Sequence, residues 1–235
     1  MENSMTQERT IIDERQQDVL RELMRNVYLW MTGGLVLTGV IAWIVANSPS
    51  MLALVYGNPA VMWGLIIAEF LLVIVLSLAI NKLSFGAAAL MFILYSALNG
   101  ATLSSIFLVY ELSSIAEVFF VTAGSFAVLA LIGTVTKKDL SALGTFLYFA
   151  LFGLVFASIL GLIFGRVETI WMSAIGVIIF AGLTVYDAQK IKLAMLSQES
   201  VNENSMKMAL LGALELYLDF INLLLRLLSL FGKKK

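Results

Sequence analysis

The chain has 235 residues, of which 60% are hydrophobic and 13% charged, with a net charge of −1 and a mean hydropathy of +0.95. A soluble domain of this size is about half apolar and about a quarter charged, so the composition is that of a polytopic membrane protein. Cysteine and histidine are both absent, which excludes disulfides, thiolate chemistry, imidazole bases and His/Cys metal sites; any metal would need oxygen ligands, which favours hard cations such as calcium or magnesium over transition metals.

Residues 1–26 mix acids with arginines, among them Glu2, Glu8, Arg9, Asp13, Glu14, Arg15, Asp18, Arg21, Glu22 and Arg25. That is the wrong leader for a cleaved signal, so the first apolar segment is expected to stay as an anchor behind a polar cytoplasmic tail. Seven apolar segments follow, near 27–46, 61–81, 85–110, 115–136, 141–164, 169–190 and 207–231. Each has roughly the 17–25 residues that cross a hydrocarbon core, and backbone groups in lipid must be satisfied within the segment, so each is expected to be a helix. The expected organisation is a tail over 1–26, a transmembrane domain over 27–231 and a basic tail over 232–235. Pro49 and Pro59 are the only prolines, both between the first two segments. The longest connection, about 191–206, contains SQESVNENS and is expected to be polar and mobile.

Lysine and arginine alternate between connections. The N-terminal tail carries four arginines and the first connection none; the second has Lys82 and the third none. The fourth has Lys137 and Lys138, the fifth Arg166, and the sixth Lys190, Lys192 and Lys207. The positive-inside rule then places the N-terminus in the cytoplasm. Lys233, Lys234 and Lys235 disagree, since seven crossings leave them outside. Either they are tolerated there or the last segment re-enters, and its length favours seven crossings.

Gly153, Ala157 and Gly161 form a small-xxx-small ridge on the fifth segment that would admit a neighbouring backbone, and Gly33, Gly34 and Gly39 would do the same on the first. Ser96, Asn99 and Thr102 make a polar stripe on the third segment, suited to interhelical hydrogen bonds or to lining a wet cavity.

Ionisable side chains at bilayer depth are costly and face a bundle interior or water. In MALLGALELYLDFINLLLRLLSLF (208–231), Glu215, Asp219, Asn222 and Arg226 fall within roughly 60° of one another at about 100° per residue. Arg226 would offset one acid and leave one carboxylate over, which makes Asp219 a functional candidate. In LTVYDAQKIK (183–192), Asp187 shares its helix face with Phe180, Leu183, Ile191 and Ala194, while Gln189 and Lys192 point nearly opposite, towards water. The rise from Ile170 to Asp187 is roughly 26 Å at about 1.5 Å per residue. Depth alone therefore leaves two readings of Asp187 open, an inward working carboxylate and a solvated helix end. Glu69, near the middle of the second segment, must find a donor or hold a proton; a neutral, hydrogen-bonded packing residue is the plainer reading. Asp187 and Asp219, on consecutive segments, suggest one shared site in which a single proton is held between two carboxyls and the pair titrates as a unit.

With these residues in hand, the chain resembles the transmembrane Bax inhibitor motif family, in particular its bacterial members. The resemblance rests on GLTVYDAQKIK (182–192) and LGALELYLDFINLLLRLL (211–228), supported by KLSFGAAALMFILYSALNGATLSSIFLVY (82–110) and TKKDLS (136–141), and covers nearly the whole chain from about residue 27. It implies an all-α membrane fold of seven transmembrane helices, with two three-helix layers around a central C-terminal helix. It also implies a paired-aspartate pH sensor, which maps onto Asp187 and Asp219, and a passive, pH-sensitive calcium leak in which that pair contacts the ion. Animal members are associated with suppression of cell death, and some bacterial relatives with modulation of a membrane-embedded ATP-dependent protease. One feature departs from the family. Some members latch the aspartates with an arginine on the second helix, where this chain has none; Lys82 is the cation nearest to that position, and Arg226 lies about 10 Å along the axis from Asp219.

The expectation is therefore a non-enzymatic cation leak of the bacterial inner membrane with its N-terminus in the cytoplasm. Asp187 and Asp219 form its gate, with Glu69, Glu215, Asn222 and Arg226 in support. Its partners are lipid, calcium and protons, with neither cofactor nor nucleic acid. The alternative is a non-transporting regulator that binds a membrane-bound ATP-dependent protease. An intramembrane aspartyl protease shares Tyr186-Asp187 but needs Gly-x-Gly-Asp where this chain has LYLD (216–219), and a later proline where none follows Pro59. A retinal protein is excluded by the lack of lysine between Lys207 and Lys233.

Overall fold

Each of the two prolines sits in the first turn of a helix, where its missing N–H costs nothing. The computed structural model describes residues 2–164 and 169–235, with side chains from Glu14 onward except at 162 and 163. In it, Ser48 caps α2 (Pro49–Tyr56) and Asn58 caps α3 (Pro59–Ala79), the Asn58 side chain accepting the Ala60 N–H at 2.9 Å. The helix α1 (Glu2–Ala46) precedes them. After them come α4 (Phe85–Leu103), α5 (Ile106–Val109), α6 (Leu112–Val135), α7 (Ser141–Ile163), α8 (Ile170–Leu196) and α9 (Glu203–Phe231). Seven stretches of these are long and apolar enough to cross a membrane, as expected. Their outward residues, among them Trp43, Phe70, Leu78, Phe120, Phe149 and Ile178, are exposed and form the face that lipid covers.

Several boundaries differ from expectation. The polar tail is helical and forms the first half of α1, and its end packs inward at Leu23 and Val27. The third segment breaks at Ser104 and Ser105 between α4 and α5. The sixth helix runs on to Leu196, so the connection before α9 shrinks to 197–202 and is built rather than loose. There the Asn202 side chain accepts the N–H groups of Asn204 and Ser205. Arg166, counted above for orientation, lies outside the described residues.

The chain divides into two units, Met1–Leu103 with Lys190–Leu214, and Ser104–Gln189 with Glu215–Lys235. In the first, α1 packs on α4. Gly34 lies against the Phe92 ring and Ser96, Gly100 lies against the Thr38 carbonyl and Ile41, and the Thr38 hydroxyl donates to the Ser96 carbonyl at 2.9 Å. Trp30 meets Phe85 and Phe92 edge-on at 6.0 Å each. The start of α9 holds the start of α4, with Glu203 accepting the Phe85 N–H at 2.9 Å and Lys207 donating to the Leu83 carbonyl at 3.1 Å. At Gly33 and Gly39, by contrast, an added Cβ would meet open space.

In the second unit, Phe220 of α9 meets Phe119 and Phe126 of α6. Gly133 of α6 abuts the Val185 carbonyl and Ala188 of α8, and Gly144 of α7 lies under the Tyr186 ring. The expected ridge on α7 is not used for packing: Gly153 and Ala157 are exposed, and nothing lies within 4 Å of Gly153. The C-terminal tail is pinned to the connection before α6. The Glu111 N–H donates to the Lys233 carbonyl at 2.9 Å, the Lys235 N–H to the Val109 carbonyl at 3.0 Å, and the Lys233 ammonium pairs with Glu111 at 3.3 Å. The last segment is one unbroken helix, long and apolar enough to cross a membrane, and its end lies beside residues 109–111. It is also the most enclosed span, with 67% of its most apolar window buried against 11–39% elsewhere.

Candidate functional site

The pairing of α8 with α9 decides where the acids lie. Gly176 makes room for the Arg226 side chain, whose Cδ would stand 2.8 Å from any added Cβ, and the Ser173 hydroxyl donates to Ser229 at 2.8 Å. In the first unit the same two helices meet at Ile191 and Gly212. Partner numbers thus sum to about 402, the mark of an antiparallel pair in constant register. On α8, Ser173, Gly176, Phe180, Leu183 and Asp187 recur at the three- and four-residue steps of one helix face. On α9, Ser229, Arg226, Asn222, Asp219 and Glu215 do the same. The polar stripe read from the sequence is therefore the seam that faces Asp187.

This register refines the expected pair. By this numbering Asp187 falls across from the stretch of α9 that carries Glu215 and Asp219, which lie one helical turn apart, about 6 Å along the axis. Asp187 and Asp219 are 3% and 5% exposed, which settles the facing question for both: neither is a solvated helix end. Phe180, Leu183 and Ile191 are buried with Asp187, as expected, and Ala194 is half-buried. Glu215, Asn222 and Arg226 are half-buried, and the Asn222 amide donates to its own helix at the Leu218 carbonyl. Among the described residues no group of three or more acids is placed to hold a metal ion.

Two partners of this region were not foreseen. Tyr148 of α7 donates its hydroxyl to Asp187, 3.1 Å from one carboxyl oxygen and 3.3 Å from the other, and its ring meets Tyr186 edge-on. A signal existed: Gly144 and Tyr148 lie one turn apart on α7, and a tyrosine hydroxyl inside a span needs a partner. The second is Gln189, which was expected to face water and is instead 7% exposed. Its amide donates to the Thr136 carbonyl at 3.0 Å and the Lys138 carbonyl at 2.8 Å, and accepts the Leu140 N–H at 3.1 Å. It ties the α6–α7 connection to α8 two residues beyond Asp187. Backbone groups from a segment about fifty residues away, not solvent, satisfy this side chain.

Glu69 belongs to the first unit and is built into a cluster there. Asn99 donates to one of its oxygens at 3.2 Å and Thr102 to the other at 2.9 Å, while the Tyr56 hydroxyl donates to the Thr102 carbonyl at 2.9 Å. The stripe on α4 thus makes interhelical hydrogen bonds, the structural reading of the two. Lys82 lies exposed in a short turn after α3, also in the first unit.

The family model of inhibitors of apoptosis-promoting Bax1 matches residues 20–235. The inner membrane protein YbhL of Escherichia coli strain K12 is 49% identical over 218 residues, 92% of this chain and 93% of that protein. An uncharacterised protein of Deinococcus radiodurans is 38% identical across 97% of this chain and 94% of its own length. An uncharacterised membrane protein of Streptococcus pyogenes serotype M1 is 34% identical across 93% and 96%.

Proposed function

The chain belongs to the family of inhibitors of apoptosis-promoting Bax1, and from that membership and the acidic seam we propose a pH-sensitive passive leak for cations, with calcium as cargo, in a bacterial inner membrane. The similarity to an inner membrane protein supports the location, and the alternation of lysines and arginines supports a cytoplasmic N-terminus. The observation that carries the reading is the line of carboxyls on α8 and α9, with Asp187 and Asp219 buried and Glu215 half-buried.

Ionised carboxylates this close repel strongly where water is scarce, so protons and helix separation are coupled. With one proton shared, the seam closes. With the proton gone, repulsion loosens α8 from α9 and the oxygens attract a passing hard cation. The groups facing Asp187 are Tyr148 from α7 and Glu215 and Asp219 from α9, with Arg226 further along the seam. Tyr148 steadies the Asp187 carboxylate. In liposomes the purified protein passes calcium faster as pH rises from 5 to 8, and Asp219→Asn flattens that rise. Liposomes that leak no faster with protein than without it, at every pH in that range, would sink the proposal.

A regulator of a membrane-bound protease is the second reading, favoured by the exposed polar stretch Glu14–Asp18 in the first half of α1. Co-purification of an ATP-dependent protease, with its regulation unchanged by Asp219→Asn, would select this reading over the first.

A further inference from the structure

A cavity of about 290 Å³ opens at the end of the second unit that carries the C-terminal tail. It is lined by Tyr110, Asn222, Leu225, Arg226, Leu228 and Ser229. Every polar side chain in that lining offers a hydrogen-bond donor, and none is a carboxylate. The Arg226 guanidinium brings a fixed fork of donors. Its stem lies in the space left by Gly176, where an added Cβ would stand 2.8 Å from Cδ and 2.9 Å from Nε. Ser229 accepts from Ser173, which leaves its own hydrogen to give. Asn222 commits one amide hydrogen to the Leu218 carbonyl and keeps the other.

A second cation stands beside this lining. Lys234 is bridged to Tyr110 across an antiparallel pair, so the two side chains lie on the same side of the bridge. Lys234 is exposed, whereas its neighbour Lys233 is paired with Glu111 and the Lys235 ammonium donates to the Phe107 carbonyl at 2.7 Å. Leu225 and Leu228 supply an apolar wall.

We propose that this cavity binds a phosphate-bearing anion, with Arg226, Tyr110, Asn222 and Ser229 on its oxygens and Lys234 at its mouth. A tetrahedral oxyanion has enough acceptors for donors converging from several sides, and Arg pairs with it in bidentate fashion. The same chemistry is carried by a phospholipid headgroup at the membrane interface and by free phosphate. The leucine wall would cover the glycerol of the former.

The test is native mass spectrometry of the full chain in neutral detergent, with phosphatidylglycerol, with diacylglycerol of the same chains, and with phosphatidylglycerol plus excess inorganic phosphate. The expected result is retention of phosphatidylglycerol but not diacylglycerol. Release by inorganic phosphate identifies free phosphate as a ligand, and persistence identifies the headgroup. Arg226→Gln should weaken binding at least about tenfold, the loss expected for hydrogen bonds to a charged group. Gly176→Ala keeps every donor but displaces the Arg226 stem and should weaken it as well. Tyr110→Phe, which removes one hydroxyl and leaves the packing, gives a smaller loss and stands in if the others do not fold. Equal retention of diacylglycerol, or wild-type binding in whichever of these variants fold, would overturn the proposal.

Discussion

Gln189→Leu removes the tie between α8 and the α6–α7 connection while keeping an apolar body of similar size. Three hydrogen bonds go, those to the Thr136 and Lys138 carbonyls and from the Leu140 N–H. At about 0.5–1.5 kcal/mol each, the sum is about 2–4 kcal/mol. Residues 137–139 are exposed, so the released backbone recovers part of this from water, and about 2 kcal/mol is the working figure. Local opening of the connection then becomes roughly thirtyfold more frequent. Cleavage follows the open population when opening is fast, and Lys137 and Lys138 are trypsin sites. Limited trypsinolysis in detergent, with fragments identified by mass, should show cuts after these lysines roughly thirtyfold faster than in wild type. Gln189→Glu keeps an acceptor for Leu140 but turns an oxygen on the Thr136 and Lys138 carbonyls, and should open the connection at least as often as Gln189→Leu. A change of less than threefold in Gln189→Leu would mean that the connection is held by something other than this side chain.

Glu69→Leu takes one acceptor from the Asn99 amide and one from the Thr102 hydroxyl, which keeps the Asn99 carbonyl at 3.0 Å, and should cost about 1 kcal/mol, a fall of roughly 2–4 °C in Tm for a chain of this size. Glu69→Gln keeps an acceptor and should melt like wild type; equal losses in both would show that charge, not hydrogen bonding, matters there. Gly133→Val drives a side chain into the Val185 carbonyl and Ala188 and should cost about 1–3 kcal/mol in a detergent melt, whereas Gly153→Val on the exposed face of α7 should cost almost nothing. Asp139 accepts from the hydroxyl and the N–H of Ser141 at the start of α7. Those two bonds, the hydroxyl's first, hold its carboxyl below the ordinary carboxylate range. A depressed value means stability that is present above the unfolded value of about 3.9 and lost as pH falls through the lower folded one. The Tm gap between wild type and Asp139→Asn should therefore close in acid, and a gap that is constant from pH 6 to pH 2.5 would refute the cap.

The site was legible where a single helix carries its own logic. The polar stripe of α9 and the inward face of Asp187 both follow from 3.6-residue periodicity on spans that are otherwise apolar. The register between them did not follow, because it rests on two local fits, Gly176 against Arg226 and Ser173 against Ser229, that no single helix encodes. Gln189 was misread for a related reason. A polar residue on a span wants hydrogen bonds, and periodicity cannot say whether water or a distant backbone supplies them. Gly153 shows the opposite error, since a glycine permits a close approach without causing one; Gly133 and Gly144 have the same chemistry and do have a neighbour. The polar run after α8 hid how far that helix extends.

The central claim is that Asp187 and Asp219 belong to one titrating seam that controls cation passage. The most direct measurement is the pH profile of calcium flux into liposomes from pH 5 to 8, taken for wild type, Asp187→Asn, Asp219→Asn and the double variant. A shared site predicts that each single change flattens the profile and that the double variant adds nothing further, because groups that act as a unit are not additive. Two independent sites predict that each single variant keeps part of the pH dependence and that only the double variant loses all of it, a result that would contradict the account.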